Sequence, residues 1–225
     1  MGKWLAICCL AFMAALLATL SLSVDSARQL VVSAPAPNMH IVIDTDKRTL
    51  TVFIGDEPQR TLPCAVGKTL TQTPIGEWTI VDKSANWGGG FGTRWLGFNV
   101  PWGIYGIHGT NKPSTIGTAA SAGCVRMLNR DVEWLYSVVK IGTRVTVVGT
   151  RQKMSVKRPL RRGQTGKEVL QLQFSLRDAG FSPGLADGRF GAQTEQAIRD
   201  MQAFYGVAPT GRADKNILTL LGLNP

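Results

Sequence analysis

His40-Ile41-Val42-Ile43-Asp44 and Thr49-Leu50-Thr51-Val52-Phe53-Ile54 are two β-branched runs separated by Thr45-Asp46-Lys47-Arg48, four polar residues that suit a turn. β-Branched side chains lose rotamers against a helical turn but pack well on a pleated surface, so the pair predicts two strands. Further strands are predicted at Leu62 to Val66, Trp78 to Val81, Leu96 to Val100 and Tyr105 to Ile107, and Val145-Thr146-Val147-Val148 closes the set. One helix interrupts this pattern. Val132, Leu135, Tyr136 and Val139 recur at i, i+3, i+4 and i+7, with Asn129 suited to the N-cap, Asp131 and Glu133 to the first turn, and Lys140 and Gly142 at the end. Many short strands and one amphipathic helix predict a mainly β domain over residues 39–149.

Beyond it the period changes. Residues 150–160 form a basic linker, and residues 161–225 read as a small all-α domain of three helices. Val169, Leu172, Leu176 and Ala179 define the first helix, stopped by Gly180; Ala197, Ile198, Met201 and Phe204 define the second; Ile217, Leu218 and Leu221 define a short third. Gly184-Leu185-Ala186-Asp187-Gly188-Arg189-Phe190-Gly191, between the first two, is dense in turn formers.

The other end speaks of export. Lys3 precedes an uncharged run from Trp4 to Leu22, and small and polar residues follow to Ala27. A positive start, an apolar stretch and a small-residue exit describe a secretory signal over residues 1–27, with cleavage expected after Ser23 or Ser26. The run is also long enough to span a bilayer, so an uncleaved membrane anchor is the alternative. Residues 28–38, with Pro35 and Pro37, read as a spacer. Cys8 and Cys9 fall inside the export segment, which leaves Cys64 and Cys124 for the mature chain.

The 225 residues carry a formal charge of +10, and no acidic residue lies between Glu133 and Glu168 while nine lysines and arginines do. Basic clusters attract polyanions, but most charge runs are solvated, and this one is read as a soluble tether. No nucleic-acid-binding motif accompanies the charge, and nucleic acid is not expected as a partner.

Two segments carry candidate chemistry: Tyr105-Gly106-Ile107-His108-Gly109-Thr110 and Ser121-Ala122-Gly123-Cys124-Val125-Arg126. Each puts a reactive side chain at a glycine-flanked strand exit, where backbone can approach a ligand closely. A thiol ionises near about pH 8.5, so a nucleophilic cysteine needs a neighbouring imidazole to take its proton and later return it to a leaving amine. Only two histidines exist. His40 opens a strand and reads as a partly exposed strand-end residue, which leaves His108 as the base. Arg126, two residues past Cys124 and on the same side of an extended segment, suits a substrate carboxylate. Cys64, within Leu62-Pro63-Cys64-Ala65-Val66, reads as small apolar filler, although a Cys64–Cys124 disulfide is the competing reading for an exported chain. Two lone ligand residues do not make a zinc site, and Gly88-Gly89-Gly90-Phe91-Gly92 lacks the lysine of a phosphate loop; no metal and no cofactor are expected.

Ile107-His108-Gly109-Thr110-Asn111-Lys112-Pro113, Ser114-Thr115-Ile116-Gly117 and Ser121-Ala122-Gly123-Cys124-Val125-Arg126-Met127 resemble the signature of the bacterial L,D-transpeptidase catalytic domain. The likeness extends to Gly67-Lys68, Thr73-Pro74-Ile75-Gly76 and Ile141-Gly142-Thr143-Arg144-Val145. It implies a β-sandwich with a cleft, Cys124 as nucleophile, His108 as base, the Gly109 carbonyl orienting the imidazole, Gly123 and Cys124 as oxyanion backbone donors, and Ser121 and Arg126 lining the substrate site. Many members carry histidine where this chain has Ala122, so any side-chain contact from that position is absent. Residues 161–225, through Arg161-Arg162-Gly163, Asp187-Gly188-Arg189-Phe190-Gly191 and Thr210-Gly211, resemble a peptidoglycan-binding domain of the three-helix type.

The resemblance implies a monomeric enzyme of the cell envelope acting on peptidoglycan stems, with membrane contact only through an N-terminal anchor. Cys124 would form a thioester with a tetrapeptide stem, release D-alanine and pass the acyl group to an amine. Two rivals use the same residues: a hydrolase in which water takes the thioester, and a non-catalytic wall-binding scaffold.

Overall fold

The computed structural model describes residues 38–224. The export segment and all of the spacer but Asn38 lie outside the described residues. Among the described residues ten strands make an eight-stranded sheet, in the order β3-β2-β1-β10-β5-β6-β7-β9, and a two-stranded one of β4 (Val66–Gly67) and β8 (Ala119–Ser121). β1 (Met39–Asp44) and β2 (Thr49–Ile54) pair antiparallel across the expected turn, where Arg48 takes φ 58°. β3 (Glu57–Pro63) extends this meander at the sheet edge. Its residues are exposed except Leu62, so no alternation marked it in the sequence, and the expected strand at Leu62 to Val66 begins too late.

β5 (Gly76–Ala85) joins the two halves of the large sheet. Its first residues pair with β10 (Arg144–Val148), and after a register shift between Ile80 and Asp82 the rest pairs with β6 (Arg94–Phe98). A bulge bends its strand and increases the local twist, so the sheet curls and both halves face one core. Ile41, Ile43, Val145 and Val147 from one half meet Leu96, Phe98, Ile107 and Val125 from the other. β1 and β10 run parallel, with Ile41 opposite Val145 and Ile43 opposite Val147. The architecture is mainly β and sandwich-like.

The helix α1 (Asn129–Val138) covers this core with Val132 and Leu135. Its carbonyl end is closed from β5: Lys83 Nζ donates to Tyr136 O and Val139 O at 2.7 and 2.5 Å, placing a cation at the negative pole of the helix. Asn129 is not the N-cap expected from sequence. Leu128 holds that place, and the Asn129 amide turns elsewhere.

Three helices follow: α2 (Lys167–Asp178), α3 (Ala192–Phe204) and α4 (Lys215–Leu220). Their apolar faces form a second core of Val169, Leu172, Leu176, Ile198, Met201 and Ile217. Val156 and Leu160 are buried in it, and Val156 N–H donates to Leu223 O, so the basic stretch packs rather than hanging as a solvated tether. Two of its arginines and one just beyond it find carboxylates: Arg151 with Asp178, Arg158 with Glu168 and Arg162 with Glu195. The same device holds two turns of this region. Buried Gln173 receives Gly188 N–H on its carbonyl and donates its amide to Arg189 O; Gln202 does likewise for Gly211 N–H and Arg212 O.

The helical region locks onto the sheet through the first of those turns. Ala186 is fully buried in the sheet's core and its carbonyl accepts from Glu77 N–H at 2.8 Å. The Glu77 carboxylate accepts from Ala186 N–H and pairs with Arg177, and Arg189 donates to Asn99 O. Gly188, at φ +68°, lies under the Trp102 ring, where a Cβ would sit 2.6 Å from the ring carbons. Gly180 shares a positive φ (+86°) but has open space around it. Gly180→Ala is therefore expected to cost about 1 kcal/mol from backbone strain alone. Gly188→Ala should cost roughly two to three times as much, read as urea midpoints of the two variants against wild type.

Candidate functional site

β7 (Gly106–His108) and β9 (Val125–Arg126) run parallel, with Ile107 opposite Val125 and His108 opposite Arg126. Side chains alternate between sheet faces, and residues paired across a parallel ladder share a face. Ile107 and Val125 therefore both enter the core, at 0% exposure. His108 and Arg126 share the opposite face, and Cys124, two residues before Arg126, sits in the bend that leads into β9. The Cys124 Sγ lies 4.0 Å from Ile104 O, at the approach to β7. Arg126 is close enough to push the His108 pKa down and the Cys124 pKa down, so one positive charge acts on both groups.

The imidazole is buried, at 3% exposure, between aromatic rings. Phe91 stands 4.9 Å from it and Trp95 stacks at 6.0 Å, with Trp87 in turn stacked on Trp95 at 4.9 Å. Nδ1 lies 2.5 Å from Gly109 O. A carbonyl can only accept, so Nδ1 carries the proton and Nε2 of the neutral ring is left as an acceptor. Burial, above all, pushes the imidazole down to about 4, with the Arg126 charge adding to it against the raising effect of the Gly109 and Phe91 carbonyls. Burial likewise pushes the Cys124 thiol up. Both shifts favour the uncharged forms, a thiol and a neutral imidazole.

The Gly109 carbonyl is itself held. Asn129 Oδ1 accepts from Thr110 N–H at 3.0 Å and lies over Gly109, where a Cβ would meet it at 2.2 Å. Asn129 thus fixes the loop that fixes the imidazole. The sequence held no sign of this beyond an asparagine at a helix start, a signal already claimed by capping.

The cysteine loop corrects two expectations. Ser121 is 1% exposed, and its hydroxyl accepts from Gly123 N–H at 3.0 Å while donating to Cys124 O at 2.5 Å. It shapes the loop and does not face a substrate. With its N–H taken by Ser121, Gly123 is not available as an oxyanion donor. Gly123 serves by lacking a side chain: at φ +125° a Cβ would lie 2.7 Å from the Tyr105 ring. Arg126 is half-buried, its Nε has no hydrogen-bond partner, and among the described residues no carboxylate pairs with it.

The remaining residues fall elsewhere. His40 stacks on Phe53 at 5.0 Å, at the strand end where sequence put it. Cys64 and Cys124 are both free thiols, so the disulfide reading fails. Cys64 is fully buried in the sheet core, and desolvation pushes its thiol up to about 12. Among the described residues no helix is long and apolar enough to cross a membrane.

Residues 38–147 match the family described as "L,D-transpeptidase catalytic domain", and residues 165–221 match "Putative peptidoglycan binding domain". The "Putative L,D-transpeptidase YkuD" of Bacillus subtilis is 49% identical over 108 residues, which is 48% of this chain and 65% of that protein. The chain thus spans slightly less than two thirds of that relative. The "Putative L,D-transpeptidase YqjB" of the same organism is 32% identical over 123 residues, 48% of this chain and 70% of that protein. Among solved structures, an L,D-transpeptidase from Mycobacterium smegmatis matches with a TM-score of 0.44 and 23% identity, covering 50% of this chain and 59% of that one. On the family match and these relatives, the chain belongs to the L,D-transpeptidase family.

Proposed function

We propose that the protein is a cysteine-dependent L,D-transpeptidase of the cell wall. Its donor substrate is a peptidoglycan tetrapeptide stem, and its helical region binds the same polymer, which places it in the cell envelope. The observation that carries the reading is the shared face of β7 and β9. It sets His108 opposite Arg126, two residues past Cys124, and supports the reading through a buried imidazole whose Nδ1–H is committed to Gly109 O and whose Nε2 can accept a proton.

The steps follow from those atoms. Cys124 Sγ attacks the carbonyl carbon preceding the terminal D-alanine, and its proton passes to His108 Nε2. Negative charge grows on the carbonyl oxygen, opposite the Cys124 N–H, the loop donor that remains once Gly123 N–H is bound to Ser121. The C–N bond breaks, the amine of D-alanine takes the proton from the imidazolium, and a thioester is left on Cys124. An acceptor amine then attacks the thioester, gives its proton to His108, and frees the sulfur. Arg126, without a carboxylate of its own among the described residues, pairs with a carboxylate of the stem. The aromatic wall of Phe91 and Trp95 shields the imidazole from water and so keeps it neutral.

Two measurements test this. Cys124→Ala should abolish D-alanine release from tetrapeptide stems, and His108→Ala should lower it about 10²–10⁴-fold. Cross-linked dimers among the wild-type products support transfer, whereas tripeptides alone would favour a hydrolase. Release undiminished in Cys124→Ala would leave the scaffold reading. The second measurement is the acid limb of kcat/KM. Only neutral His108 accepts a proton, so activity is lost as pH falls through about 4, where burial has pushed the imidazole, rather than through the ordinary value of about 6.5.

A further inference from the structure

A groove of about 480 Å³ opens beside the cysteine loop, between segments of the sheet region and helix α2, and most of its apolar lining belongs to the sheet's core. Ala122 and Tyr105 stand at one end, next to Gly123 and Cys124. Trp102 lines the sheet side, and residues 69–75 lie along it, with Leu70 97% exposed at its rim. The other wall is the α2 face carrying Lys167, Leu170 and Phe174, and Arg151 to Met154 complete it. The two walls are held together by the Glu77–Arg177 pair, the Arg189–Asn99 hydrogen bond and the Trp102–Gly188 contact already described.

Its chemistry is one-sided. Three cations line it, Arg151, Lys153 and Lys167, and no acidic side chain does. Arg151 is occupied by Asp178 and by the Phe174 ring, 4.5 Å from the guanidinium. Lys153 and Lys167 are exposed and have no carboxylate partner among the described residues. Trp102 Nε1 is buried with no acceptor in the protein. A groove with apolar patches, ammonium groups without a carboxylate partner among the described residues and a spare N–H donor suits a peptide bearing a carboxylate.

We infer that this groove seats the donor stem, with a carboxylate remote from the scissile carbonyl held by Lys153 and Lys167. The inference rests on the proposed function. It makes the helical region a wall of the substrate site, not only a tether to the polymer. Ala122 fits this role: it lines the groove, is exposed, and stands two residues before Cys124 with only a small side chain.

The test measures D-alanine release by the full-length protein from two tetrapeptide stems. One has the remote carboxylate free, and the other has it converted to an amide. Against the free carboxylate, the double variant Lys153→Glu/Lys167→Glu should raise KM about tenfold, with Lys153→Gln/Lys167→Gln in between. Against the amide, wild type and both variants should share one KM. Far-ultraviolet circular dichroism establishes that the variants are folded. An unchanged KM on the carboxylate stem, or an equal rise on both stems, overturns the inference. Failure of the underlying reading is distinct: Cys124→Ala would then release D-alanine as fast as wild type.

Discussion

The hydrogen bond between the His108 ring and the carbonyl of its own neighbour, Gly109, sets the state of the whole site. A buried imidazole between Phe91 and Trp95 has few ways to satisfy both nitrogens. Giving the Nδ1 proton to a main-chain oxygen fixes the tautomer without introducing a carboxylate, whose charge would raise the imidazole's pKa. An aspartate there would favour imidazolium, and Arg126 beside it would then need a counter-charge. The backbone acceptor avoids that conflict. It leaves a neutral imidazole, a neutral thiol and one guanidinium with no carboxylate partner among the described residues, an arrangement that, under the proposed function, suits binding an anionic peptide before any charge is created by reaction.

Everything around that bond serves to hold it. Asn129 clamps the Gly109–Thr110 backbone from the start of α1, and α1 is itself pinned to the sheet by Lys83 at its far end. The β7–β9 ladder supplies the other coordinate, because a one-residue slip would exchange His108 with Ile107 and send the imidazole into the core. The bulge in β5 curls the sheet so that β6 and β7 lie across from β1 and β10, and the apolar side chains between them resist such a slip.

Much of this was legible in the sequence. Strands with buried alternation, such as Ile41-Val42-Ile43 and Val145-Thr146-Val147, announced themselves, and so did the helices whose apolar faces recur at 3.6 residues. β3 did not, because an exposed edge strand has no reason to alternate. Neither did β8 (Ala119–Ser121) or β9, which are too short to show a period and exist through their partners. At the candidate site, residue types pointed to Cys124, His108 and Arg126. They could not reveal that the Ser121 hydroxyl bridges Gly123 and Cys124, or that Asn129 reaches back to Thr110, because both depend on where loops distant in sequence meet. The packing of residues 150–162 was hidden similarly: a run of lysines and arginines reads as solvated unless Asp178, Glu168 and Glu195 are known to lie opposite.

The fully buried Cys64 bears on how the molecule meets oxidants. Disulfide exchange proceeds through a thiolate, and a sulfur held in an apolar core with its ionisation near 12 supplies none. Peroxide that reaches Cys124 would therefore find no second sulfur among the described residues ready to condense with it. The resulting sulfenic acid would have to be capped by a small external thiol, and that adduct can be reduced again.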